Sequence, residues 1–69
     1  MTTLFNIYEG AVENAKFSRE EVTAGYFSDY AFGAMEIALD DDQIAMLVHF
    51  HGADQNSYDE VVAMKDATI

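Results

Sequence analysis

Residues 36–51, EIALDDDQIAMLVHFH, constrain the fold more than any other segment of this chain. Three consecutive carboxylates, Asp40, Asp41 and Asp42, stand between two apolar runs. The apolar runs must be buried and the carboxylates must stay hydrated, so core and surface meet here. Two local structures satisfy that condition. In one, the Asp triplet starts a helix, with one Asp at the N-cap and further acids in the first turn, where the macrodipole favours them. Ile44, Leu47, Val48 and His51 then share a face, His49 and His51 fall in the last turn, and Gly52 is placed to end the helix as its C′ residue. In the other, residues 34–50 form a β-hairpin. Met35, Ile37 and Leu39 alternate, as do Ile44, Met46, Val48 and Phe50. A turn at 40–42 would lack the Gly or Asn that tight hairpins prefer, so the helix is the preferred reading.

The rest of the chain reads as helix. Leu4, Tyr8, Ala11 and Ala15 fall on one stripe of a helix over 3–16, with Thr2 or Thr3 available as N-cap. Gly10 costs that helix about 1 kcal/mol relative to Ala. Ser18, Arg19, Glu20 and Glu21 match a capping box, which predicts a second helix from Arg19 to about Leu39, with a break near Gly25 or Ser28. Its core side would carry Val22, Tyr26, Phe27, Tyr30, Ala34, Ile37 and Ala38. Residues 53–56 read as a loop. Ser57 to Glu60 matches another capping box, opening a helix with Val61, Val62 and Met64 inward and a frayed tail at 66–69. The expectation is one all-α domain over 1–69, a compact bundle of about four helices, with α+β through the 34–50 hairpin as the alternative.

Composition narrows the function classes. A chain of 69 residues buries only about 60% of its unfolded surface, so it needs a dense core. Hydrophobic residues at 51% supply one, and there is no Cys to staple it or to bind a metal as thiolate. No basic region or long apolar run opens the chain, and no apolar stretch approaches the ~20 residues of a membrane span, so neither a signal peptide nor membrane insertion is expected. Thirteen acids face three bases, for a net charge of −10. Such a chain is repelled by nucleic acid and anionic membranes and is drawn to basic protein surfaces. Nine aromatic residues and a dense apolar pattern argue against a disordered acidic tail.

The motifs for chemistry are weak. Counted from Asp40, an EF-hand would need Gly at the sixth position and Glu at the twelfth, where Ala45 and His51 stand. His49 and His51 could share a metal on a strand, but on a helix they diverge, and two ligands are too few for zinc. No nucleophile elbow, zinc-protease helix or phosphate-cradling loop occurs. No catalytic role, metal or cofactor is therefore expected. The nine rings are mostly core, with Tyr26, Tyr30 and Tyr58 the candidates for surface positions beside carboxylates.

The charge pattern points to binding. Glu9 and Glu13 stand four apart, as do Glu36 and Asp40, and only Lys16, Arg19 and Lys65 are available as counter-charges. Like charges at that helical spacing repel by a few tenths of a kcal/mol. A carboxylate array spaced at ~5–6 Å on a helix can imitate a nucleic-acid backbone before a basic groove built for DNA. The candidate partner-binding residues are Glu20, Glu21, Asp29, Glu36, Asp40, Asp41 and Asp42.

In its size, its acidity, its Met1-Thr2-Thr3 opening and the acid–aromatic mix of residues 20–30, EEVTAGYFSDY, the chain resembles the small phage-encoded anti-CRISPR proteins. Among them it resembles the type I inhibitors, type I-C being one candidate. The resemblance implies a non-enzymatic inhibitor in the bacterial host cytoplasm that binds the CRISPR–Cas surveillance complex and blocks target DNA recognition. Its partner would be a basic protein surface on a DNA-binding subunit of a type I effector. The chain is expected to act as a monomer without contacting nucleic acid directly. The alternative is an acidic interaction module, antitoxin-like or a phage accessory, that sequesters another basic partner.

Overall fold

A computed structural model describes residues 2–53 and 55–69. Four helices follow one another: α1 Leu4–Ser18, α2 Ala24–Met35, α3 Asp41–Gly52 and α4 Tyr58–Asp66. The fold is an all-α bundle. Among the described residues the only β feature is one antiparallel bridge between Thr3 and Thr68, so the 34–50 hairpin is not formed.

Each start has a local cause. Thr3 caps α1 by accepting from the Asn6 amide at 3.2 Å, and the Asn6 side chain returns the bond to the Thr3 amide at 3.0 Å. Asp40 caps α3 in the same reciprocal manner with Gln43, at 2.8 and 2.9 Å. Asp41 and Asp42 then occupy the first turn and His49 and His51 the last, matching the polarity of the helix dipole.

Five expectations are corrected. The box at Ser18 does not start a helix: Ser18 ends α1, and Arg19 follows in the left-handed conformation at φ 57°. The Glu20 amide closes the turn on the Ala15 carbonyl at 2.9 Å, a Schellman ending that uses the residues a new helix would have needed. α2 starts five residues later than Arg19, at Ala24, behind the Thr23 cap, and runs unbroken past Gly25 and Ser28 to a second left-handed residue, Glu36. Gly52 is the last residue of α3 rather than its left-handed terminator, and Ala53 follows in extended conformation. Ser57 precedes α4, but its hydroxyl makes no capping bond. The tail is not frayed: the Leu4 amide donates to Ala67 at 2.8 Å and the Ile69 amide to Thr2 at 2.9 Å. Of the loop at 53–56, Asp54 lies outside the described residues, as does Met1 of the opening triplet.

The core centres on α1. Leu4, Ile7, Tyr8 and Ala11 meet Phe27 and Ala31 from α2, Leu47 and Phe50 from α3, and Met64 from α4. Tyr8 is the hub of the rings, with Phe50 edge-on at 4.8 Å and Phe27 at 6.0 Å between centroids. Ala34 and Ala38, expected inside, are exposed, and Ala31 holds the buried position on α2 instead. Val48, expected on the buried face of α3, is exposed, and Phe50 takes that place.

Candidate functional site

The seven candidate carboxylates are all exposed. The backbone divides them into two groups. Glu20 and Glu21 sit in the α1–α2 connection, and with Asp29, Thr23, Gly25 and Tyr26 they line one shallow hollow. Glu36 ends α2, and Asp40, Asp41 and Asp42 begin α3. With 12 residues in α2, rising ~1.5 Å each, its two ends lie roughly 18 Å apart. The acids therefore lie before α2 (Glu20, Glu21), halfway along it (Asp29) and after it (Glu36 and the start of α3) instead of running down one continuous helix. Glu36 and Asp40 do not share a helix, so their expected four-residue repulsion is absent. Glu9 and Glu13 do keep that spacing on α1, and both face solvent.

Among the described residues one carboxylate lies within 4 Å of a basic side chain, Glu60 Oε1 at 3.3 Å from His49 Nε2. Lys65 instead sits over the Phe5 ring, 5.0 Å from its centroid. Among the described residues none of the seven candidates has a cationic partner. Asp40 differs from its neighbours because its carboxylate is committed to the Gln43 amide. Asp41 and Asp42 carry no such duty, so they are the members of the triplet whose charge can be changed without removing a cap.

The two histidines diverge to different helices. His49 meets Glu60 on α4, while His51 Nδ1 lies 3.1 Å from the Tyr8 hydroxyl on α1. Burial pushes the Tyr8 phenol above its ordinary value, so it stays a neutral hydrogen-bonding group facing that imidazole. The described residues bring no three His, Cys, Asp or Glu side chains together in a metal-binding arrangement.

The aromatic residues hold what sequence reasoning missed. Tyr58 is exposed, as anticipated, but so are Phe17 at 91% and Phe32 at 66%. Phe17 shares a hollow with Gly10, Glu13, Asn14 and Tyr30, on the seam between α1 and α2. Tyr26 and Tyr30 are half-buried on that seam, with ring centroids 6.5 Å apart and planes at 24°. Asn14 Nδ2 donates to the Tyr26 hydroxyl at 2.6 Å. The phenol end of Tyr30 abuts Gly10: a Cβ there would collide with the hydroxyl and stand 3.1 Å from the ring Cζ. The signal was available in the sequence, since a Gly in mid-helix marks a close approach as readily as a propensity penalty.

A third concavity lies between α3 and α4, lined by Ala45, Met46, His49, Glu60, Ala63 and Met64, with a volume of about 220 Å³. That is below the ~300–1,000 Å³ of small-molecule sites. Among the described residues no helix is long and apolar enough to cross a membrane. Comparison with protein-family models, curated proteins and solved structures finds no match for this chain.

Proposed function

We propose that this protein is a non-enzymatic inhibitor that binds a CRISPR–Cas surveillance complex in the bacterial host cytoplasm. It blocks target DNA recognition by offering a DNA-binding groove a fixed acidic surface in place of phosphates. One observation carries the charge part of this reading: exposed carboxylates, without cationic partners among the described residues, are held before, along and beyond one ordered helix. The resemblance of the sequence to anti-CRISPR proteins supplies the partner. Carboxylates distributed along and beyond a helix of roughly 18 Å cover a length comparable to half of a ~34 Å duplex turn, which a Lys- and Arg-lined groove can engage. Docking there would release the counterions of both surfaces, so affinity should fall with salt.

The test is binding to a purified type I surveillance complex, with and without target DNA, across a salt series. The expected result is competition with DNA and a steep loss of affinity at high salt. Asp41→Lys with Asp42→Lys should weaken binding by at least about tenfold, or ~1.4 kcal/mol, at unchanged helicity. Asp40 is left intact because replacing it would uncap α3. Unchanged affinity in the double variant would count decisively against the proposal.

The exposure of Phe17 and Phe32 also suits one alternative, an acidic interaction module for another basic protein, because bare rings add contact area beyond what charge mimicry alone supplies. A pull-down from bacterial lysate separates the two by whether effector subunits are the main catch.

A further inference from the structure

The α1–α2 seam presents three rings near one another: Tyr26 and Tyr30 pack one side against the core and leave the other open, and Phe17 lies outside it. Phe17 stands almost fully in solvent at the end of α1. Tyr30 shares its hollow, and Tyr26 lies beside Tyr30 in the wall of the next hollow. Two separate devices fix the tyrosines, the Asn14 bond to Tyr26 and the Gly10 seat beneath Tyr30. The second is maintained against helix propensity, since Gly in mid-helix costs about 1 kcal/mol relative to Ala. Rings held in place before contact lose little entropy when a partner docks on them.

Charge selects the partner. Glu13 borders the first hollow, and Glu20, Glu21 and Asp29 border the second. Lys16 and Arg19 flank Phe17 in the sequence, but neither lines a hollow or pairs with a described carboxylate. A ring face bordered by carboxylates fits a group that is planar, cationic and rich in directed N–H donors. Guanidinium has all three properties, stacking on the ring while its edge reaches the oxygens. Ammonium is a compact, strongly hydrated point charge that gains less from such a site.

We propose that the ledge of Phe17, Tyr26 and Tyr30 reads arginine: it docks an arginine-bearing segment of the basic partner, with guanidinium planes on the rings and N–H groups directed to Glu13, Glu20, Glu21 and Asp29. This deepens the acidic-display reading and rests on it. It also separates the two regions of charge. The acids at the start of α3 attract any cation, whereas the ledge discriminates between cations of equal charge.

The experiment titrates the full chain with an oligo-arginine and an oligo-lysine peptide of equal length, reading affinity by fluorescence anisotropy and location by amide chemical-shift mapping. Arginine should bind about tenfold tighter, within the worth of one or two cation–π contacts, with shifts concentrated on residues 10–30. Phe17→Ser changes an exposed side chain and should lower arginine affinity several-fold while sparing lysine. Asp41→Asn with Asp42→Asn should lower both alike. Equal affinities, or shifts centred on residues 40–49, overturn the ledge and leave the acidic display standing. If neither peptide binds, the acidic display itself falls and the ledge falls with it.

Discussion

Along the α1–α2 seam, Tyr30 lies on Gly10, Asn14 holds Tyr26, and Phe27 is fully buried against Tyr8. Along the α3–α4 seam, Leu47 and Met64 are buried, but Ala45, Met46 and Ala63 leave an open groove, with His49 and Glu60 among its walls. α4 has nine residues, no side-chain cap, and two valines only half-buried. The chain's tail helps hold it, through the bonds from Leu4 to Ala67 and from Ile69 to Thr2. The difference shows where a small domain places its rigidity. Most of its interlocked rings meet around α1, and the face that carries both Tyr26 and Tyr30 beside acids lies there too. The α3–α4 side closes the bundle with small and flexible side chains.

The largest test of that contrast is truncation in each seam. Phe27→Ala should cost about 3–5 kcal/mol, because its ring is enclosed on all sides and the cavity cannot collapse. A domain of this size has a total stability of only about 3–10 kcal/mol, so the variant should be largely unfolded in a urea titration. Met64→Ala should cost about 2–3 kcal/mol, the lower part of the range, since the adjoining groove lets neighbours relax inward. If Met64→Ala proves the more damaging, the seams have been ranked in the wrong order.

A smaller effect compares the starts of α3 and α4. Asp40→Ala removes a carboxylate that accepts the Gln43 amide, and should cost about 1 kcal/mol. Ser57→Ala removes a hydroxyl with no capping bond, and should cost only a few tenths. Melting temperatures of the two variants check this directly. Equal losses would mean that Ser57 caps α4 in solution and that the second seam is better built than its geometry indicates.

The elements that were legible in the sequence are those whose rule is local. Thr3 and Asp40 stand directly before amphipathic runs, and both became caps. The four-helix count followed from the spacing of apolar residues. The errors arose where one short segment satisfied two rules. Residues 18–21 read equally as a capping box and as the close of a preceding helix, and the burial of Ala11 and Ala15 favoured the longer α1. Arg19 and Glu36 then turn the chain in the left-handed region, which costs a non-Gly residue about 1–2 kcal/mol and which no sequence rule assigns to them. Those two turns decide that the acids form two groups instead of one array. The exposure of the candidate acids was legible from their chemistry alone, while their grouping depended on bends with no glycine to announce them. Phe17 was missed for a different reason: a ring next to a helical stripe is ordinarily core, and this one falls in the last turn of the longer α1, where it stands in solvent.

The smallest predicted change in stability is also the most direct probe of the first seam. Gly10→Ala should gain roughly 1 kcal/mol of helix propensity, yet the new methyl group would occupy the place of the Tyr30 hydroxyl. The phenol end of a half-buried ring can swing outward, at the cost of its packing on α1. The two effects oppose each other, and the net change should be within about 0.5 kcal/mol, the range of an ordinary surface substitution. The location of the ring is what should change. Tyr30 ring resonances should lose their cross-peaks to α1, and arginine-peptide affinity should fall while lysine-peptide affinity holds. A variant that gains the full helix propensity, keeps those cross-peaks and binds arginine as before would mean that Gly10 seats nothing. The α1–α2 seam would then owe its order to Phe27 and Tyr8 beneath it, and the rings above would be no more prepared for a partner than the groove on the other side.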